Sequence, residues 1–255
     1  MMSTPSYLKN DFTKAVTETS LLATENVKKR KGYNPNKNNW HLFAPEETYI
    51  QTVFDIYTRL LSTLDQLNYI PAFLSRLPAK GHLEHNEITE LNYLQYHLEV
   101  YVHKMHTILE IMRLLVNEIY VFGLSEKDCT WENLRKCPGM KNSLVGKILN
   151  SYFKSFKGII DIRHYNTHRG IFKDSAMEEL NLHVLVYSFA KKFDMDITPY
   201  KELYPEFLLK HNLKKLRTRR RKDIIQSNKG VEEYIDQFFT ALLPEFKVRT
   251  TNSGT

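Results

Sequence analysis

The sequence predicts an all-α protein, and three observations carry that prediction. Apolar residues recur in steps of three and four over long stretches, the spacing of a helix with one buried face. Glycine and proline are scarce, nine each in 255 residues, too few for the turns of an all-β fold. No segment alternates apolar and polar residues with the period of a strand. Hydrophobic residues make up 42% and charged residues 25%, the composition of an ordinary globular chain. No apolar run reaches the roughly 18–20 residues that span a bilayer, and the N-terminus lacks the basic-then-apolar layout of a secretory signal, so a cytoplasmic location with no membrane partner is expected.

Residues 1–44 read as an irregular N-terminal arm, because "KKRKGYNPNKNNWH" is rich in Asn, Lys and turn formers. The first strong helix starts after Pro45, with Glu46 and Glu47 near its positive end, and carries Ile50, Val53, Leu60, Leu64 and Leu67 at helical spacing. Pro71 ends or kinks it. The second helix is the clearest, from Ile88 to Ile119, through Leu91, Leu94, Leu98, Val102, Met105, Ile108, Met112 and Leu115. A rod of that length, about 50 Å at 1.5 Å per residue, needs partners of similar length to cover its stripe. Gly123 to Gly139 reads as a connection with a helical turn near Trp131–Leu134.

A third helix is expected from about Asn142 through Leu144, Ile148, Tyr152, Phe156 and Ile159, and a fourth from about Ser175 to Lys192. Past Pro199 and Pro205 comes a basic segment, then a last amphipathic helix, "GVEEYIDQFFTALLPEF", and a frayed terminus. The domain reading is an arm at 1–44, a four-helix bundle at 45–192 and a basic helical extension at 193–255.

Cys129 and Cys137 are eight positions apart, which fits neither a disulfide framework nor C-x-x-C metal spacing, so they read as ordinary thiols. The formal net charge is +7, which points to an anionic partner. Much of it lies in "KHNLKKLRTRRRK" (210–222), where Lys214, Lys215, Arg217, Arg219, Arg220 and Arg221 are candidates for phosphate contacts. A solvated helix face is the plainer reading of the same run. His97, His103 and His106 of the second helix read as surface or interface side chains. The chain has no Walker A loop, G-x-G-x-x-G, H-E-x-x-H or G-x-S-x-G.

The chemistry concentrates in "GIIDIRHYNTHRGIF" (158–172), where a helical apolar run delivers Arg163, His164 and His168, then Arg169 and Gly170. A charged residue continuing an apolar stripe must find an anionic partner, since an unpaired buried charge is very costly. A structural salt bridge to a neighbouring carboxylate is one answer. Arg163 and His168 are five apart, about 140° around an ideal helix, so they share a face only if the helix breaks near Arg169–Gly170. His164 and His168, with Asp161, also form a D-x-x-H-x-x-x-H set that could bind a metal.

"R-H-Y-N-T-H" at the end of a bundle helix resembles the R-x4–6-H motif of the HEPN superfamily. The resemblance covers about residues 45–192. It implies an all-α HEPN-like bundle and a metal-independent endoribonuclease with no cofactor, in which two protomers pair with their motifs facing one cleft. By position, Arg163 is the motif arginine, His164 the polar residue beside it and His168 the motif histidine, and Arg169 follows as an RNA contact. RNA is the implied partner, along with a second copy of the chain. An antitoxin or defence-system protein is a further candidate, since stress response, toxin–antitoxin control and phage defence all stay open. Some HEPN toxins carry a modified tyrosine two residues after the histidine. Gly170 stands there, which puts such control in doubt. A non-catalytic HEPN-like RNA- or nucleotide-binding module and a bundle metalloenzyme remain as alternatives.

Overall fold

The computed structural model describes residues 4–169, 172 and 174–251, with the side chains of all of these except Lys80 and residues 164–169. Among the described residues there are ten α-helices, four short 3-10 turns and no strand. The helices are α1 (Asp11–Lys28), α2 (Pro45–Phe73), α3 (Lys80–His85), α4 (Glu90–Ile119), α5 (Trp131–Leu134), α6 (Leu144–Ser155), α7 (Lys157–Arg169), α8 (Ser175–Phe193), α9 (Thr198–Leu203) and α10 (Glu206–Thr251). The all-α class is therefore as the periodicity predicts. No helix is long and apolar enough to cross a membrane among the described residues.

The chain forms two compact units. One comprises Met1–Leu64, Thr107–Phe156 and Lys229–Thr255, and the other Asp65–His106 and Lys157–Asn228. Helices α2, α4 and α10 contribute residues to both.

The expected irregular arm contains a helix, and this corrects the reading of residues 1–44. In α1, Phe12, Val16, Ser20, Ala23 and Val27 are buried at steps of four, four, three and four. The stripe is hard to see in the sequence because it contains a serine, while Leu21 and Leu22 point outward. Burial of Ser20 is tolerable because its hydroxyl pairs with Gln51 Oε1 at 3.2 Å and its carbonyl accepts from Gln51 Nε2 at 2.9 Å. Asn10 caps the helix, accepting from the Phe12 amide at 2.9 Å. Phe12 then stacks into a ring cluster with Phe239 at 5.1 Å, Phe246 at 5.6 Å and Tyr57 at 6.2 Å, all within the first unit.

The expected third helix is two helices. α6 ends at Ser155 and α7 starts at Lys157, with Phe156 between them at φ −105° and ψ 12°. Phe156 belongs to the first unit, where its ring lies 4.8 Å from Tyr152 and 5.9 Å from Tyr234. α6 starts tightly. A Cβ at Gly146 would sit 2.3 Å from the Met140 carbonyl oxygen, so only glycine fits there.

The basic segment and the last helix, by contrast, are one element, the 46-residue α10. Its inward positions are Leu209, Leu213, Leu216, Arg220, Ile224, Asn228, Val231, Ile235, Phe238, Leu242 and Phe246, in unbroken steps of three and four. Charges between these positions hide the stripe over 209–224, and Arg220 takes a position where the pattern calls for an apolar residue.

Candidate functional site

Helix α7 carries the candidate motif and lies wholly in the second unit. Ile160 anchors it in the interior. At its first turn the Lys157 ammonium donates to Asp161 Oδ2 at 2.6 Å, an exposed pair one turn apart. Asp161 thus has a cationic neighbour in place. The other members of the alternative metal set, His164 and His168, have side chains outside the described residues, as does Arg169. Gly170 also lies outside the described residues. Among the described residues no His, Cys, Asp and Glu group gathers with metal-binding geometry.

The backbone of α7 stays helical through Arg169. The motif therefore does not break before His168, and positions 163 and 168 stand about 140° apart around one helix axis. Arg163 is half-buried, and its Nε is shielded from water with no hydrogen-bond partner among the described residues. A buried guanidinium N–H without an acceptor costs on the order of 1–3 kcal/mol, which an incoming anionic oxygen would recover. The structural salt bridge considered from sequence is not among the described contacts of this residue.

Beside α7 lies a cleft of about 350 Å³. Ile159 and Ile162 of α7 line it with Tyr101 of α4, Asp174, and Arg220 and Ser227 of α10. Burial pushes the Tyr101 hydroxyl up to about 12. Asp174 closes the cleft at the start of α8. Its Oδ1 accepts from the amides of Ala176 and Met177 and from Arg220 Nη2, the last at 2.9 Å, while the same Nη2 lies 2.7 Å from Oδ2 in an ion pair. One carboxylate thus caps a helix and neutralises a largely buried arginine.

The structure sorts the basic run of α10 into two groups. Arg217 faces inward and lies 3.3 Å from Glu90, whose carboxyl is pushed up by burial and pulled back down by Arg217. Arg220 holds Asp174, and Arg221 Nε donates to the Pro71 carbonyl in the last turn of α2 at 3.0 Å. Lys214, Lys215, Arg219 and Lys222 are exposed along one groove with His211. By composition the run is simply basic. The signal that separates the groups is the stripe of Leu209, Leu213, Leu216 and Ile224, which turns positions 217, 220 and 221 toward the fold.

The remaining polar candidates have structural surroundings. His97 packs against the rings of Phe73 at 5.3 Å, Tyr93 at 4.5 Å and Tyr96 at 5.4 Å, and burial pushes its pKa down. His103 is exposed. Both cysteines are free, and burial pushes the Cys129 thiol up to about 11, which makes it a poor nucleophile at neutral pH.

A family model described as Cthe2314-like HEPN matches residues 49–207, more than half of the chain and the whole of α7 and α8. This chain belongs to that HEPN family. The match starts four residues after the expected bundle and runs past its expected end into the first turn of α10. No curated protein and no solved structure matches the chain. HEPN membership is consistent with a nuclease or a nucleotide-binding module, and the all-α fold agrees with it.

Proposed function

We propose that this HEPN protein is a metal-independent endoribonuclease acting as a homodimer in the cytoplasm. The observation that carries the reading is the Arg163-x4-His168 spacing on one helix, α7, inside the matched HEPN region. In the proposed reaction the 2′-hydroxyl of RNA attacks the adjacent phosphorus. One His168 takes the 2′ proton, and His168 of a second copy gives a proton to the departing 5′-oxygen, so two copies supply base and acid without a metal. Arg163 holds the charged phosphorane, for which its shielded Nε, with no partner among the described residues, is suited. His164 orients the site. Arg169 and the exposed Lys214, Lys215 and Arg219 collect the phosphate backbone. Stress response, toxin–antitoxin control and phage defence all fit such an activity, with an antitoxin or defence protein as partner.

The deciding experiment is cleavage of single-stranded RNA in excess chelator. His168→Ala is expected to lower the rate by roughly 10²–10⁴. Arg163→Ala is expected to lower it by about 10²–10³. His164→Ala is milder. Products end in a 2′,3′-cyclic phosphate, and DNA is untouched, because the nucleophile is the RNA's own hydroxyl. Cleavage of DNA, 5′-phosphate ends or activity only with added metal would overturn this mechanism and promote Asp161, His164 and His168 as a metal site. RNA binding without cleavage would leave a binding module.

A further inference from the structure

Helix α8 is apolar on two opposite faces. Met177, Leu180 and Val184 face the interior of the second unit. On the other side Leu182, Leu185, Phe189 and Phe193 stand 63, 41, 52 and 64% exposed. Single exposed apolar residues are ordinary, but four on one helix face form a stripe that a soluble protein covers.

The charges on that stripe say what covers it. Glu178, Leu182, Leu185, Phe189 and Lys192 follow one another in steps of four, three, four and three, a heptad seam. Glu178 and Lys192 each lie seven residues from Leu185, on opposite sides. Both are exposed. If a second α8 lies antiparallel across a two-fold axis at Leu185, each Glu178 meets the other copy's Lys192, while Leu182 and Phe189 interleave between them. A parallel pairing would set like charge against like, so the seam selects the antiparallel one. Lys192 also lies 3.1 Å from Glu87 of its own unit, but both side chains are mostly exposed and such a pair is weak.

We infer that the outer face of α8 is a self-association surface on which a second copy of this chain docks its own α8 antiparallel. The surface lies on α8, not on the motif helix α7. α8 starts ten residues before Leu185, about 15 Å from the axis, so the two α8 starts stand about 30 Å apart along the pair. Where the motif-facing pairing proposed above also forms, the two contacts combine into an assembly larger than a dimer.

Sedimentation velocity of the full chain from roughly 1 to 100 µM tests this, the range in which a short seam is expected to associate. Phe189→Glu is expected to raise the dissociation constant of this contact about 100-fold, halving the assembly. Glu178→Lys alone and Lys192→Glu alone each weaken it about 10-fold, and the double reversal restores it, a rescue only antiparallel self-pairing gives. Leu185→Cys, in a Cys137→Ser background, forms a disulfide dimer on oxidation. All these positions are exposed, so helicity by circular dichroism stays at the wild-type level. RNA cleavage in chelator is followed in parallel. An unchanged assembly in Phe189→Glu, or no rescue in the double reversal, overturns the inference whatever the cleavage result. Loss of cleavage in His168→Ala with the assembly intact bears only on the reaction.

Discussion

The two units solve the problem of a stable interior in opposite ways. In the unit built on α1 and the last turns of α10, the interior is a set of rings. Phe239 lies 5.1 Å from Phe12, 5.6 Å from Tyr57 and 6.5 Å from Tyr7, and all four are buried. In the unit that holds the motif, arginines reach inward. Arg217 lies beside Glu90, Arg220 is held by Asp174 and Arg221 caps the carbonyl of Pro71. That unit also keeps polar groups without partners, Arg163 Nε, Arg217 Nη1 and Arg220 Nε among them, and leaves large apolar side chains of α8 outside. A dry ring cluster gains from burial alone. A polar interior gains less and leaves groups poised for a ligand.

The largest effect that sharpens this contrast is expected at Phe239. Phe239→Ala should cost about 3–5 kcal/mol, because a ring touching several others leaves a cavity its neighbours cannot close. Urea unfolding measures it, and a loss under about 1 kcal/mol would mean that the ring cluster is not what holds the first unit.

Next comes Arg220. Arg220→Ala strips the partner from Asp174, whose side chain is 8% exposed. Arg220 itself keeps some contact with water, so a loss of about 1–3 kcal/mol is expected rather than the full cost of a buried pair. Replacing Lys214, Lys215, Arg219 and Lys222 by Gln should instead change stability by less than about 0.5 kcal/mol. The same replacement should lower the salt slope of RNA binding by about three, with four phosphate contacts at roughly 0.7 each for a single strand. Equal stability losses in the two variants would erase the division of the basic run.

The smallest effects are in pH. Burial raises the pKa of Glu118 in the first unit and lowers that of His97 in the second. Glu118 holds its proton more tightly folded than unfolded, so its contribution is full below the ordinary Glu range and is lost as pH rises through the raised value. His97 works the other way. Its contribution is full above the ordinary His range and is lost as pH falls through the lowered value. Acidification thus favours the first unit and disfavours the second. Glu118→Gln should flatten the first dependence and His97→Phe the second, read from urea midpoints at several pH values. The same sign for both would break the comparison.

The sequence alone determined the helical class, α2, α4 and α8 to within a few residues, and the motif with its family, because long apolar periodicity and a short motif are local properties of the chain. It did not reveal α1, where Ser20 sits on the buried stripe and Leu21 and Leu22 point out, since only the Gln51 contact makes that orientation pay. Nor did it reveal the break at Phe156, which keeps helical spacing in the sequence while its ring packs against Tyr152 and Tyr234. Which arginines of 210–222 face inward was also beyond it. Charge is a property of the residue, but whether a charge meets water or a carboxylate 127 residues away, as Arg217 meets Glu90, is settled only when the helices pack.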